Sequence, residues 1–368
     1  MSLKIYAIMA IMCLFVGLRD QGYCQMTNVP LNAVTVTDAV GRVVAFSSPP
    51  QRMVVAGKAS FMIADAVGLF PEERQNMVTY SGGKSSRQGA GDFLSLVMPG
   101  PASMDLLGGE AGAEQIAAAK PDVVLMKSSS SRLGDVLSRL GLPVVYLDFE
   151  TTAHYARDVA VLGQLLGNGD RAQFLISYYQ DLLSGVRSRI AAGSEARKSR
   201  TLLLQYSERG GVVAFSVPGP DWMQTALVEL AGGIPVWKEA AQRGGWTVVN
   251  LEQIAVWDPD IVFVVDYIAS ANQAVAEIMA DTKWQALRAA KENKIYAFPG
   301  DYYSWDQPDP RWGLGLLWLA TRIHPQLFDQ TDLRREIVRF YQLYDLDVEA
   351  IESRVLPLIR ENMAHVPK

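Results

Sequence analysis

The sequence predicts an α/β protein of two Rossmann-like lobes, each built on a mainly parallel sheet, joined by a long α-helix. Three observations predict it. Short apolar runs alternate with helical stretches, a pattern that places helices on both faces of a parallel sheet. A proline-free amphipathic segment divides the chain near its middle. One helix–Pro-Asp–strand unit occurs twice.

Residues 34–44 alternate β-branched side chains about Gly41 and predict a β-hairpin. Pro49-Pro50 breaks the chain before a buried strand at 53–56, and a helix over 60–69 stops at Pro71. Apolar runs at 122–126 and 144–147 predict two more strands, each preceded by a helical stretch. From Ala153 to about Ala192 no proline occurs, and Val159, Leu162, Leu165, Leu166, Phe174, Leu175 and Leu182 recur at helical spacing. Gly167-Asn168-Gly169 interrupts that spacing, which predicts a short helix, a turn and a long helix over 170–190. Strands resume at 201–205, 261–265 and 295–298, and residues 333–363 are mostly helical with a break or a helix start at Pro357. The resulting plan is a leader at 1–24, a first lobe at 25–152, a helical connector at 153–195 and a second lobe at 196–368.

The repeat sharpens that plan. Residues 113–126 read AEQIAAAKPDVVLM and residues 251–264 read LEQIAVWDPDIVFV, with seven of 14 positions identical. Glu114 and Glu252 each stand seven residues before the proline of their unit and lie 138 residues apart. Two equivalent lobes explain a matched Glu-Gln-Ile-Ala and Pro-Asp better than chance does.

Composition narrows the function. The 368 residues are 49 % hydrophobic and 20 % charged, with a net charge of −5 and a pI near 5.4, so no basic surface for nucleic acid is offered. Residues 5–18 form an apolar run of secretory-signal length after Lys4, and Gly22 and Cys24 suit a cut before Gln25. An uncleaved anchor is the other reading, and a lipid-anchored form is a third, though Gln21-Gly22-Tyr23 fits a lipoprotein signal poorly. Both cysteines, Cys13 and Cys24, fall in this segment, and the three histidines are far apart, which argues against a zinc site and a cysteine nucleophile. No nucleophile elbow, phosphate-binding loop, His-Glu-x-x-His or dinucleotide fingerprint occurs. An enzyme on a two-lobed α/β fold is the rival class, and these absences disfavour it.

Several stretches resemble the helical-backbone class of solute-binding proteins of ABC importers, which serves ferric siderophores, haem, cobalamin and some oxyanions. They are Thr37-Asp38-Ala39-Val40-Gly41-Arg42, the Pro-Pro-Gln-Arg-Met-Val-Val run at 49–55, the two repeat units, and 311–328 with its Gly-Leu-Leu-Trp-Leu-Ala and His-Pro-Gln-Leu-Phe. The resemblance covers nearly all of the chain after the leader. It implies a monomeric periplasmic binder with no catalytic residues. It also implies a permease dimer, with its ATPase, as partner. An exposed glutamate on each lobe would dock on permease arginines, here Glu114 and Glu252. Favouring a helix N-terminus is the other role open to those carboxylates.

Ligand contacts are expected where strands end, since open α/β sheets bind ligands there. Candidates in the first lobe are Lys58, Tyr80, Arg87 (with Lys84) and Lys127. In the second they are Tyr206 (with Arg209), Trp222, Arg243, Trp246, Tyr267 and the 302–311 loop with Tyr303, Trp305 and Arg311. The aromatics of that loop could plug a core, but Asp306, Asp309 and Arg311 beside them predict a rim facing solvent or ligand. Basic and aromatic groups together suit an anion with a flat organic part. An iron(III) chelate of the siderophore type is therefore the expected ligand, with no resident cofactor and no metal ion held by the protein itself. Direct Fe³⁺ binding by Tyr302-Tyr303, cobalamin, haem, and molybdate or tungstate stay open.

Overall fold

The first sheet and the central strand of the second are built from residues that are almost all buried, which is why those strands read as unbroken apolar runs. The computed structural model describes residues 32–80, 93–98, 107, 111–193 and 198–362. Strands β1 (Val34–Thr37) and β2 (Val43–Phe46) form the expected antiparallel hairpin. Its turn is tied by Asp38, which accepts the N–H groups of Val40 and Arg42 and pairs with the Arg42 guanidinium at 2.7 Å. The first sheet runs β4-β3-β5-β6, all parallel, from β3 (Met53–Val55), β4 (Met77–Tyr80), β5 (Val123–Met126) and β6 (Val144–Tyr146).

The connector folds as its pattern dictates. A helix over Thr152–Leu166 ends at Gly167, whose φ of 72° is the left-handed conformation that favours glycine. Asn168 then caps the long helix Gly169–Ala192 by accepting the Arg171 N–H.

The second sheet departs from the expectation of simple βα alternation. Its order is β10-β8-β7-β11-β12, from β7 (Arg200–Arg209), β8 (Val212–Val217), β10 (Thr247–Val249), β11 (Ile261–Val265) and β12 (Ile295–Ala297). A short β9 (Ile234–Pro235) pairs with β7. Strands β7, β11 and β12 are parallel, but β8 and β10 add an antiparallel edge. Gly210 and Gly211 both have positive φ, which closes the β7–β8 hairpin tightly.

The chain also does not stay in the second lobe after residue 196. Helices Leu333–Gln342 and Leu356–Asn362 close the chain. In the turn between them Arg74 Nη1 donates to the Tyr344 carbonyl at 2.7 Å, and Phe93 meets Tyr344 edge-on at 4.9 Å. The last segment thus straps the second lobe to the first.

The repeat is structural as well as textual. In the first copy the Asp122 carboxylate accepts the Arg52 N–H at 3.0 Å, and the Asp122 N–H donates to the Arg52 carbonyl at 2.8 Å. In the second, Asp260 and Arg200 make the same two bonds at 2.8 and 2.7 Å. Both arginines reach back to the carbonyl end of the preceding helix, Arg52 to Ala119 and Arg200 to Trp257. Lys120 and Asp258, at equivalent positions, both have positive φ.

Candidate ligand cleft and docking face

Loops at the carboxyl ends of the first sheet are stitched to one another. Gly57 has φ +89°, and a Cβ there would stand 2.5 Å from Ser130 Oγ, so only glycine lets the β3 loop pass. The next N–H, of Lys58, donates to that same oxygen at 3.0 Å while its side chain is exposed. Lys127, at the end of β5, is buried and pairs with Glu150, its Nζ also 3.5 Å from Met62 Sδ. Tyr80 is buried at the end of β4. Arg87 and Lys84 lie outside the described residues.

In the second lobe Trp222, Trp246 and Tyr267 form a half-buried row. Their rings meet edge-on, with centroids 5.7 Å apart for the tryptophans and 5.8 Å for Trp246 and Tyr267. The Tyr267 hydroxyl donates to Asp306 Oδ2 at 2.5 Å, and burial pushes both the phenol and the carboxyl up in pKa. Arg243 is 82 % exposed and faces Asp221 at 2.7 Å. Tyr206 turns elsewhere: its hydroxyl bonds Glu277, and it lines a cavity of about 90 Å³ with Glu208 and Asp266.

The 302–311 loop is not the solvent-facing rim its charges predict. Trp305, Asp306, Asp309 and Arg311 have no exposed surface, and Tyr303 is 3 % exposed. Arg311 lies among three carboxylates, with Nη1 2.5 Å from Asp65, Nε 2.7 Å from Asp301 and Nη1 3.5 Å from Asp309. Trp305 Nε1 donates to Asp301 at 2.8 Å, and the Tyr341 hydroxyl bonds the same carboxylate. Both side chains are thus committed to a buried network rather than presented at a surface. Burial alone works against the Arg311 charge, but Asp301, Asp65 and Asp309 more than offset it and hold the guanidinium protonated. Tyr302 and Tyr303 go separate ways, Tyr302 towards Phe93 at 5.5 Å and Tyr303 stacked on Phe61 at 4.2 Å. Among the described residues no group of three or more His, Cys, Asp or Glu could hold a metal ion.

One pH effect follows from this network. Burial, reinforced by Asp65 and Asp301 and opposed by Arg311, raises Asp309 to about 8. The folded protein therefore binds more protons here than the unfolded chain between about pH 4 and about pH 8. The contribution of this carboxyl to stability falls as pH rises through that window. Asp309→Asn is expected to flatten that part of the stability profile. Urea unfolding across the window checks it, and an unchanged slope would refute the assignment.

Glu114 and Glu252 occupy the same position in their two units. Each is exposed, in the first turn of a helix (Ala113–Ala118 and Leu251–Trp257) that leads down to the start of a central strand. Their first turns therefore stand at the carboxyl ends of the sheets. Neither side chain has a hydrogen bond or ion pair among the described residues.

A family model described as periplasmic binding protein matches residues 105–302, more than half of the chain. The chain belongs to that family. This periplasmic binding protein is 25 % identical over 337 residues to the molybdate-binding protein MolA of Haemophilus influenzae, covering 84 % of this chain and 88 % of that one. Among solved structures, a periplasmic solute binding protein from Veillonella parvula matches at 25 % identity with a TM-score of 0.70, over 90 % of this chain and 99 % of that one. Helicobacter pylori CeuE with Ni(II) bound shares the fold at 17 % identity, TM-score 0.69, covering 88 % of this chain and 99 % of that one. The periplasmic binding protein is thus a solute-binding component of an ABC transporter and not an enzyme. Its fold of paired lobes and helices is the one expected.

Sequence reading missed Asp65, Phe61 and Asp301. A signal for the first was present, since Asp65 is the one charge in the otherwise apolar helix Ser60–Gly68.

Proposed function

We propose that the protein captures a metal chelate with an organic, partly aromatic shell between its lobes. It delivers that chelate to a permease docked on Glu114 and Glu252. The row of Trp222, Trp246 and Tyr267 carries this reading, because half-buried rings at a strand-end cleft offer flat apolar surface to such a shell. The candidate cations support it from the other side. Lys127, Arg243 and Arg311 already face carboxylates, which leaves them less suited to a bare oxyanion. A ferric siderophore is the first choice. Molybdate or tungstate is the second reading, supported by the MolA relative that matches 84 % of this chain.

Titration by tryptophan fluorescence separates the two. A ferric catecholate, a ferric hydroxamate, haem and cyanocobalamin would be compared with molybdate and tungstate. Saturable quenching by one of the chelates is expected. Trp246→Ala should weaken that binding about tenfold, close to 1.4 kcal/mol. Binding of molybdate alone, undiminished by Trp246→Ala, would select the second reading.

A further inference from the structure

We infer that the Arg311–Asp65 ion pair is an interlobe strut that fixes the spacing of the two lobes before any ligand arrives. Asp65 belongs to the helix Ser60–Gly68, whose residues are almost all buried over the first sheet. Arg311 closes the loop that leaves β12 of the second sheet. The pair therefore spans the two lobes, and both side chains have no exposed surface.

The arginine is gripped so that it cannot follow the first lobe alone. Asp301 holds its Nε from the second-lobe side, and Trp305 and Tyr341 hold Asp301. The guanidinium lies 4.3 Å over the Phe93 ring and 5.2 Å from that of Tyr303. Tyr303 stacks in turn on Phe61 of the Asp65 helix, 4.2 Å away and 15° from parallel. Charge and stacking thus cross between lobes at one place.

Physics makes this joint stiff. Drawing the lobes apart here would take one of three carboxylates from a fully buried guanidinium and unstack Tyr303 from Phe61, and parting a buried ion pair is costly. Ligand entry must then proceed by rotation about the strut rather than by separation at it. Arg311 acts as a positioning residue: it sets the width of the cleft and does not itself meet ligand.

Spin labels on Ser138 and Lys291, exposed helical positions on the two lobes, read the spacing directly. The full chain would carry Cys13→Ser and Cys24→Ser so that only the introduced cysteines are labelled. The unmutated ligand-free protein is expected to give one narrow distance distribution. Asp65→Asn, which keeps the volume but removes the charge, should broaden it and shift it to longer distances. Phe61→Ala should leave it narrow, since the ion pair survives. A broad or two-peaked distribution in the unmutated protein would overturn the inference whether or not Asp65→Asn folds. An unshifted distribution in folded Asp65→Asn would overturn it as well. So would equal broadening in Phe61→Ala.

Discussion

A chain carrying Glu114→Arg and Glu252→Arg together is expected to lose uptake while binding its ligand as tightly as before. The two carboxylates are exposed, occur at matched positions of a repeated unit, and stand at the carboxyl ends of the two sheets. Such a pair suits a two-fold symmetric permease, because each lobe presents the same charge to one half of the dimer. Reversing both turns two attractions into two repulsions, and like charges placed opposite each other at an interface cost several kcal/mol. The effect on the protein itself is small. An acidic residue in the first turn contributes about 0.3–1 kcal/mol through the helix dipole, so both variants should stay folded. Transport assays in cells, paired with fluorescence titration of the purified variant, separate the two quantities. Each single reversal should leave partial uptake. Full uptake by the double variant would remove the docking assignment and leave the carboxylates only their helix role.

Removing the Arg311 side chain is expected to have the largest effect on stability of any single change considered. Arg311→Ala takes from the buried carboxylates of Asp65, Asp301 and Asp309 the guanidinium that all three share. Breaking a buried ion pair from one side costs about 3–5 kcal/mol, against a total stability of about 5–15 kcal/mol for a folded domain. The loss should depend on pH. Buried carboxyls that lose this guanidinium hold their protons to higher pH in the folded variant, so its deficit grows as pH rises through their titration and shrinks when they are protonated. Urea unfolding of the variant and the parent at about pH 5 and about pH 8 tests both the size and the sign. Equal midpoints at the higher pH would mean that the network contributes nothing. The cluster's fully buried charges argue against that outcome.

What the sequence made legible was local. The hairpin at 34–44, the break at Gly167-Asn168 and the apolar strands are decided by turn chemistry and by periodicity within a few residues. The repeat was legible because identical residues keep identical jobs. Asp122 and Asp260 each tie their strand to the start of its neighbour, through Arg52 in one lobe and Arg200 in the other. Strands β8 and β10 were not legible. Val212–Val217 is half exposed, so it lacks the unbroken apolar signature of the central strands. The 302–311 loop misled for a related reason. Charged residues are usually exposed, and nothing near Arg311 in the chain announces the aspartate 246 residues earlier that lets it be buried.

The sequence by itself determined two lobes, a helical connector and a matched pair of glutamates, since each rests on residues close together or on direct repetition. Tertiary structure alone decided which charges face outward. Glu114 and Glu252 stay exposed because their helices present that turn to solvent. Arg311, Asp309 and Asp65 go inside because three elements remote in sequence converge there and satisfy one another. Burial of charge is a property of that convergence, and no single segment carries it.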